Sequence, residues 1–255
     1  MNLRSSLLVT SLTALLSGCI INVNSAGFDS FDYHRQQQLT IDANQLNTLV
    51  AETGAGSLVI KGIDGVNLIQ LDADIYGYDG VEPELILTRE GDRAKLVANF
   101  DSFSRVLFNG SSPYIDITMT VPASMLLDIE DGSGSIDIKG VHADINIKDG
   151  SGSIALDGGR NLVIDDGSGS IVLANVDGNI NLEDGSGSIE INQVYGDVIV
   201  NDGSGSMTIQ NVVGKVTIDD GSGDIRVENS KGLHIVESGS GDLSFDNING
   251  SVRMD

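Results

Sequence analysis

The chain has 255 residues, with 37 acidic and 14 basic side chains and a net charge of −23 at pH 7. Such an acidic chain argues against nucleic acid and anionic membrane surfaces as electrostatic partners. Only 4 % of the residues are aromatic, which argues against a thick globular core. The single cysteine, Cys19, excludes a disulfide within one chain.

An apolar segment near the amino terminus has the features of an export signal. Arg4 precedes the stretch from Leu7 to Leu16, which is too short to cross a bilayer as a helix but has the length found in signal peptides. The segment runs into Leu16-Ser17-Gly18-Cys19, which resembles the lipobox of bacterial lipoproteins. An ordinary secretory signal that contains a cysteine by chance is the alternative.

The lipobox resemblance implies a lipid anchor. Residues 1–18 would be the signal peptide, and residues 19–27 would comprise the lipidated Cys19 and a short tether. Ile20, in place of an aspartate, is similar to the outer-membrane sorting signal of Gram-negative lipoproteins. We therefore expect a protein of the cell envelope that is anchored in the outer membrane through Cys19.

The segment from residue 28 to residue 130 lacks a regular period. Gly54 to Gly62 matches the start of the later repeats in residue type, so we interpret it as one degenerate coil. Glu90-Gly91-Asp92-Arg93 predicts the turn of an inserted hairpin. Nine of the 11 Phe and Tyr residues lie between Phe28 and Tyr114, which indicates an irregular, aromatic-rich cap over the first coil. A binding loop at Phe100 to Pro113 is the alternative reading of part of this region.

A pentapeptide then recurs every 17 or 18 residues from residue 131 to residue 255. Asp-Gly-Ser-Gly-Ser or a close variant begins at Asp131, Asp149, Asp166, Asp184, Asp202, Asp220 and Ser238. A fixed period of this size is typical of repeat proteins, in which each unit packs on its neighbours. Residues 131–255 are therefore predicted to be a regular β-solenoid of seven repeats.

Apolar residues recur inside each repeat at positions 5, 7, 10, 14 and 16, counted from the first residue of the pentapeptide as position 0. Positions 5 and 7, and then 14 and 16, predict two short strands with one buried face. Position 10 predicts an apolar residue at the bend between them. Position 12 is glycine in five repeats, and we expect this glycine to turn the chain through a positive φ angle. These glycines are Gly178, Gly196, Gly214, Gly232 and Gly250.

The pattern predicts an all-β, single-stranded parallel β-helix with about 18 residues per coil. The general crossover preference predicts a right-handed coil. An antiparallel meander would also satisfy the alternation, but near-constant repeat length and identical corners favour stacking. The 17-residue repeat is expected to lose its residue near Gly158-Gly159-Arg160. In the repeat from Asp220, either the strand shifts by one residue and buries Leu233 and Ile235, or His234 points inward; the shift is preferred.

The aspartate at position 0 has two interpretations. Its carboxylate can accept hydrogen bonds from backbone N–H groups just after it, as in an Asx-turn. Stacking would also place the aspartates in a column in which like charges repel, and bound Ca²⁺ would relieve that repulsion. The candidate cation-binding residues are Asp131, Asp149, Asp166, Asp184, Asp202 and Asp220.

The order of motifs resembles that of a known family. A strand ending in Val121-Pro122, the segment from Gly54 to Gly62 and the repeated Gly-Ser-Gly-Ser-Ile-x-Ile units are similar to the DUF4097 family of bacterial cell-envelope proteins, which are provisionally called adhesins. The resemblance covers roughly residues 40–255. It implies a parallel β-helix and brings no established catalytic residues.

Together these features predict a non-enzymatic, surface- or periplasm-facing lipoprotein with a structural, adhesive or protein-interaction role. A Ca²⁺-binding module is the first alternative. An enzyme acting on polysaccharide is a further alternative, but it would need longer loops that build a cleft around paired acids. The last coil is expected to expose unpaired strand edges that invite self-association or a protein partner. Its apolar residues are Leu243, Phe245, Ile248, Val252 and Met254.

Overall fold

The computed structural model describes residues 20–22, 31–100 and 112–255. Within these ranges the chain forms twenty β-strands and no helix, so the all-β prediction is confirmed. Accordingly, none of the described residues belongs to a helix long and apolar enough to cross a membrane. The signal peptide, Cys19 and most of the loop at Phe100 to Pro113 lie outside the described residues.

The repeats stack as parallel coils, and each coil contributes one strand to each of two ladders. The first ladder contains β10 (Ile145–Asp149), β12 (Leu162–Asp166), β14 (Ile180–Asp184) and β16 (Val198–Asp202). The second contains β11 (Gly152–Asp157), β13 (Gly169–Val176) and β15 (Gly187–Val194). Three longer strands contribute to both ladders: β9 (Leu126–Lys139), β17 (Gly205–Asp220) and β18 (Ile225–Glu237). The last coil is formed by β19 (Leu243–Ile248) and β20 (Val252–Met254).

Equal repeat positions lie beside one another throughout the ladders. Ile189, for example, pairs with Ile171 on one side and Met207 on the other. The apolar residues at positions 5, 7, 10, 14 and 16 are all buried in the coils that begin at Asp166, Asp184 and Asp202. The parallel solenoid and its inward-facing positions are therefore confirmed, and the coils share one continuous apolar core.

The degenerate coil at the amino-terminal end joins the same ladders. It consists of β3 (Thr48–Ala55) and β4 (Leu58–Ile63), which pair in parallel with β9 so that Leu58 lies beside Ile136 and Thr53 beside Asp131. On their other side they pair in parallel with β7 (Arg93–Phe100) and β8 (Tyr114–Pro122). The coil formed by β7 and β8 therefore lies on the side of β3 and β4 opposite to β9, although its residues come later in the sequence than those of β3 and β4.

Antiparallel strands complete this end. The predicted hairpin is confirmed, since β6 (Pro83–Glu90) pairs antiparallel with β7. On the second ladder, β5 (Leu68–Gly77) pairs with β8, then β2 (Tyr33–Asp42) with β5 and β1 (Ile20–Asn22) with β2, all antiparallel. The cap is thus more regular than expected, and aliphatic residues such as Leu71 fill its interior.

The aromatic residues of the cap cluster at one end of its strands. Phe31 contacts Tyr78 and Tyr114, with ring centroids 5.3 Å and 5.5 Å apart, and Tyr76 stacks on Tyr114 at 4.7 Å. His34 stacks in turn on Tyr76 at 4.4 Å. These rings therefore pack on one another at one end of β2, β5 and β8.

The bend between the two strands of a coil is made differently from the prediction. Positive φ angles of 53–60° occur at position 9, whereas the position-12 glycines do not have them. The residues at position 9 are Asn175, Gln193, Asn211, Asn229 and Asn247. At four of the five position-12 sites glycine is needed for another reason: a Cβ atom on Gly214, for example, would lie 2.2 Å from the carbonyl oxygen of Gly196 in the preceding coil. The assignment of positive φ to position 12 was wrong.

The two irregular repeats behave as predicted. Coils paired across the 17-residue repeat stay in register because Gly158 and Gly159, with φ angles of 117° and 91°, form a shorter bend. In the repeat from Asp220, the register shifts, and Leu233 and Ile235 are buried. His234 instead lies 3.0 Å from the carboxylate of Asp255 through its Nε2 atom.

Candidate functional site

The aspartates at position 0 point into the solenoid. Strand β10 shows why: Ile145, Ile147 and Asp149 alternate with outward residues, so the aspartate occupies the next inward place after two core isoleucines. Six such residues form a continuous column along the interior corner, each only 0–6 % exposed. This aspartate column consists of Asp131, Asp149, Asp166, Asp184, Asp202 and Asp220. The structure therefore brings all the predicted candidate residues together, but inside the molecule.

One oxygen of each central carboxyl group caps the corner. Oδ1 of Asp184 accepts a hydrogen bond from the backbone N–H of Ser186 at 3.1 Å, and Oδ1 of Asp202 accepts one from Ser204 at 3.0 Å. Asp149 and Asp166 are bonded in the same way. The Asx-turn interpretation is confirmed at these four corners. At the first corner, the hydroxyl group of Thr53 donates to Oδ1 of Asp131 instead.

The other oxygen of each carboxyl group is buried without a partner. Among the described residues, none donates a hydrogen bond to Oδ2 of any member of the column. This holds also at Asp220, which is fully buried. Since buried polar atoms are normally hydrogen-bonded, six unpartnered oxygens in one row set this corner apart from the rest of the core.

Burial makes these carboxyl groups weak acids. It raises the pKa of Asp149, Asp166, Asp184 and Asp220 from 3.8 to about 6, and raises the pKa of Asp131 and Asp202 as well. Charges on neighbouring members of the column contribute to the raised pKa of these four groups, as Asp202 does for Asp220. The column is therefore stabilised when its carboxylates are protonated or paired with cations.

An open cavity of about 210 Å³ lies at the amino-terminal end of the column. It is lined by Glu52, Thr53, Asn99, Glu130, Asp131 and Gly132. Glu52 is held by Lys95, with 3.0 Å between Oε1 and Nζ, whereas Glu130 on the neighbouring strand is exposed. The cavity places solvent next to the first member of the column and is negatively charged.

No three His, Cys, Asp or Glu side chains converge on one point within residues 20–22, 31–100 and 112–255 in a way that could hold a metal ion. The column presents its carboxyl groups in a line instead. Any cation would thus meet the column between successive members rather than in a cage of several acids.

Sequence reasoning missed a second column, at position 9. Asn229 donates from Nδ2 to Oδ1 of Asn211 at 2.8 Å, and Asn247 donates to Asn229 at 2.6 Å. These side chains are exposed and link successive coils at the bend. The signal was present, because asparagine stands at position 9 in four of the five repeats from Asp166 onward.

The sequence from residue 102 to residue 253 matches the model of the family described as Toastrack DUF4097, which is more than half of the chain. The chain belongs to this family. The match includes all but the last two residues of the regular array of this Toastrack DUF4097 protein and begins after the degenerate coil of β3 and β4. The family resemblance seen in the sequence is therefore confirmed.

Similar solved structures cover most of the chain. A provisionally named adhesin from Parabacteroides distasonis ATCC 8503 has 12 % identity and a TM-score of 0.45, over 86 % of this chain and 97 % of that chain. A provisionally named lipid-binding protein from the same organism has 15 % identity and a TM-score of 0.43, over 86 % and 96 %. A provisionally named cell adhesion protein from Clostridium sporogenes ATCC 15579 has 10 % identity and a TM-score of 0.34, over 87 % and 98 %. Among curated proteins, none matches the chain.

Proposed function

We propose that this Toastrack DUF4097 protein is a non-enzymatic lipoprotein of the cell envelope that works by protein–protein contact through its last coil. The observation that carries the proposal is the exposure of core positions in that coil. Phe245, Val252 and Met254 are 41 %, 41 % and 51 % exposed. The residues they stack on, Val227, Leu233 and Ile235, are at most 3 % exposed.

The backbone of the last coil is also available for pairing. Strands β19 and β20 each pair with β18 and with no other strand among the described residues. A sheet edge of this kind accepts another strand through main-chain hydrogen bonds. The interaction thus combines a strand edge with an apolar surface, which favours a protein partner.

A second copy of the chain is the partner we propose. A surface that fits the last coil must present two strands at the separation set by the repeat, and another coil of the same repeat does so. A two-fold contact between two last coils would cover the apolar positions of both chains at once. The net charge of −23 opposes the approach of two copies, so salt should favour the dimer.

Light scattering tests the self-association. Wild-type protein should shift from monomer to dimer as its concentration rises, and more readily in high salt. Replacing Phe245 and Met254 by lysine should weaken the dimer at least about tenfold, because charges would be buried without partners. Tyr195→Lys is the matched control, since Tyr195 is 65 % exposed on a central coil. A wild-type protein that stays monodisperse and monomeric at high concentration in high salt would contradict the proposal.

Membrane fractionation tests the anchor. Cys19→Ser should move most of the protein from the membrane fraction to the soluble fraction and abolish labelling with fatty acid, because the lipid is attached to the thiol. Ile20→Asp is the companion variant: it should keep the lipid and move the protein from the outer to the inner membrane. Full membrane retention of Cys19→Ser would show that the anchor lies elsewhere.

A further inference from the structure

We infer that the aspartate column binds calcium ions in the gaps between successive carboxylates, with about three ions per chain. This inference is independent of the dimer proposed above. It rests on the burial of the column, the unpartnered oxygens and the distance between coils.

The burial of the column requires a neutralising partner. Carboxylates that are taken out of water are costly unless they are paired, and the column contains no basic residue. Oδ2 of every member lacks a hydrogen-bond donor among the described residues, including that of the fully buried Asp220. These atoms are buried away from solvent. They are the oxygen ligands that hard cations prefer.

The coil spacing selects among cations. Successive members of the column are strand neighbours, as Asp166 is to Asp184 and Asp184 to Asp202, and adjacent strands lie about 4.8 Å apart. An ion midway between two oxygens at that spacing would be about 2.4 Å from each, within the 2.3–2.6 Å range typical of Ca²⁺. Mg²⁺ needs about 2.0–2.1 Å and a strict octahedral shell, so a stack with fixed spacing fits it poorly.

Charge balance sets the number of ions. One Ca²⁺ neutralises two carboxylates, so six carboxylates take three ions. The pairs are Asp131 with Asp149, Asp166 with Asp184, and Asp202 with Asp220. Backbone carbonyl groups and water must complete each coordination shell, because no three acidic groups converge among the described residues. A site with two carboxylates predicts modest affinity, with Kd of about 0.1–1 mM, as in extracellular calcium modules.

The cavity at the amino-terminal end offers a point of entry. Glu130 and Glu52 line it beside Asp131, so it attracts cations to the first member of the column. Thr53 closes the column at this end through its hydrogen bond to Asp131.

Calorimetric titration and thermal melting of the full chain at pH 7.5 test the inference. With about 5 mM CaCl₂, Tm should rise by about 5–10 °C, and the same concentration of MgCl₂ should have at most a small effect. Calorimetry should give about three Ca²⁺ ions per chain. The absence of both heat and a Tm shift with CaCl₂ would overturn the inference, as would an equal effect of MgCl₂.

A pair of variants separates the column from the acidic surface. Asp166→Asn with Asp184→Asn removes one pair and should reduce the stoichiometry from about three ions to two. Asp165→Asn with Glu183→Gln makes the same charge change on the exposed neighbours and should keep three. An equal loss in both variants would show that the ions belong to the general acidic surface. If the first variant does not fold, the comparison of CaCl₂ with MgCl₂ on the wild type still decides the matter.

Discussion

Gly187→Ala is expected to destabilise the solenoid by about 4 kcal/mol or more, which is among the largest effects of a single substitution. Gly187 is the second glycine of its pentapeptide and has a φ angle of +152°. A Cβ atom there would lie 1.5 Å from the carbonyl oxygen of Gly169 in the preceding coil. The two coils would have to separate at this corner, which breaks the hydrogen bonds from Gly169 N to Ser186 O and from Gly185 N to Asp166 O.

Gly91→Ala provides the control for the effect of φ alone. Gly91 has a φ angle of +66° in the hairpin turn, and a Cβ atom there would meet nothing within 4 Å. It should therefore cost only about 1 kcal/mol, from backbone strain. The free energy of unfolding of both variants can be measured in urea. If both variants lost only about 1 kcal/mol, the corner at Gly187 would have to accommodate a Cβ atom, contrary to the structure.

Acidification is expected to stabilise the protein, with a higher free energy of unfolding at pH 5 than at pH 7.5 in the presence of a chelator. Burial raises the pKa of Asp149, Asp166, Asp184 and Asp220 from 3.8 to about 6, so the folded chain binds protons that the unfolded chain does not bind between these values. This stabilisation is fully present below pH 3.8 and is lost as the pH rises through 6. Each such carboxyl group contributes about 1.4 kcal/mol between pH 7.5 and pH 5.

Other charged groups also affect how the stability depends on pH. The outward Asp165 and Asp219 raise the pKa of their column neighbours Asp166 and Asp220, which acts in the same direction. Asp144 acts in the opposite direction, because Arg160 lowers its pKa to about 2, and its stabilisation is lost only below pH 3.8. Four such groups titrating independently should give a total gain from pH 7.5 to pH 5 of about 5–6 kcal/mol.

Asp184→Asn tests whether the column causes this pH dependence. The amide oxygen can still accept the hydrogen bond from Ser186, while the side chain carries no charge. The variant should be more stable than the wild type at pH 7.5 by about 1 kcal/mol and should depend less on pH. Glu183→Gln removes an exposed charge next to it and should change stability by less than about 0.5 kcal/mol. Stability that falls steadily from pH 7.5 to pH 5 would refute the prediction.

The regular part of the fold was predictable because its spacing is nearly constant. Only stacked coils require five apolar positions, two glycines and one corner to recur together, and the structure confirms the stacking. The shift at Leu233 and Ile235 was also predictable, because a core strand buries an isoleucine in preference to His234. The handedness of the coil stays a prediction.

The burial of the column could have been read from the sequence. Positions 14 and 16 face inward, and position 0 of the next repeat follows them at the same two-residue interval, as in Val198, Val200 and Asp202. The charge of the aspartate made a corner cap the more natural interpretation. The role of the position-12 glycines was harder to predict, because a positive φ angle and a lack of space for a Cβ atom both require glycine, and the sequence does not distinguish them.

The order of coils at the amino-terminal end could not be predicted. Strands β7 and β8 lack the pentapeptide, and nothing in their composition says that they lie in front of β3 and β4. That contact depends on pairing over long sequence separations, such as Leu58 with Ile117. The antiparallel strands β2, β5 and β6 then serve as the cap that a solenoid needs.

This reversed order has a consequence for how the nascent chain folds. Strands β3 and β4 precede both of their neighbours in the chain, so they have no partner for the ladders until residues 93–139 are available as well. Folding must therefore wait for roughly the first half of the chain, after which each further coil can add to a completed edge. A disruptive substitution between residues 93 and 122 would prevent the first coils from forming, whereas the loss of a late coil would only shorten the solenoid.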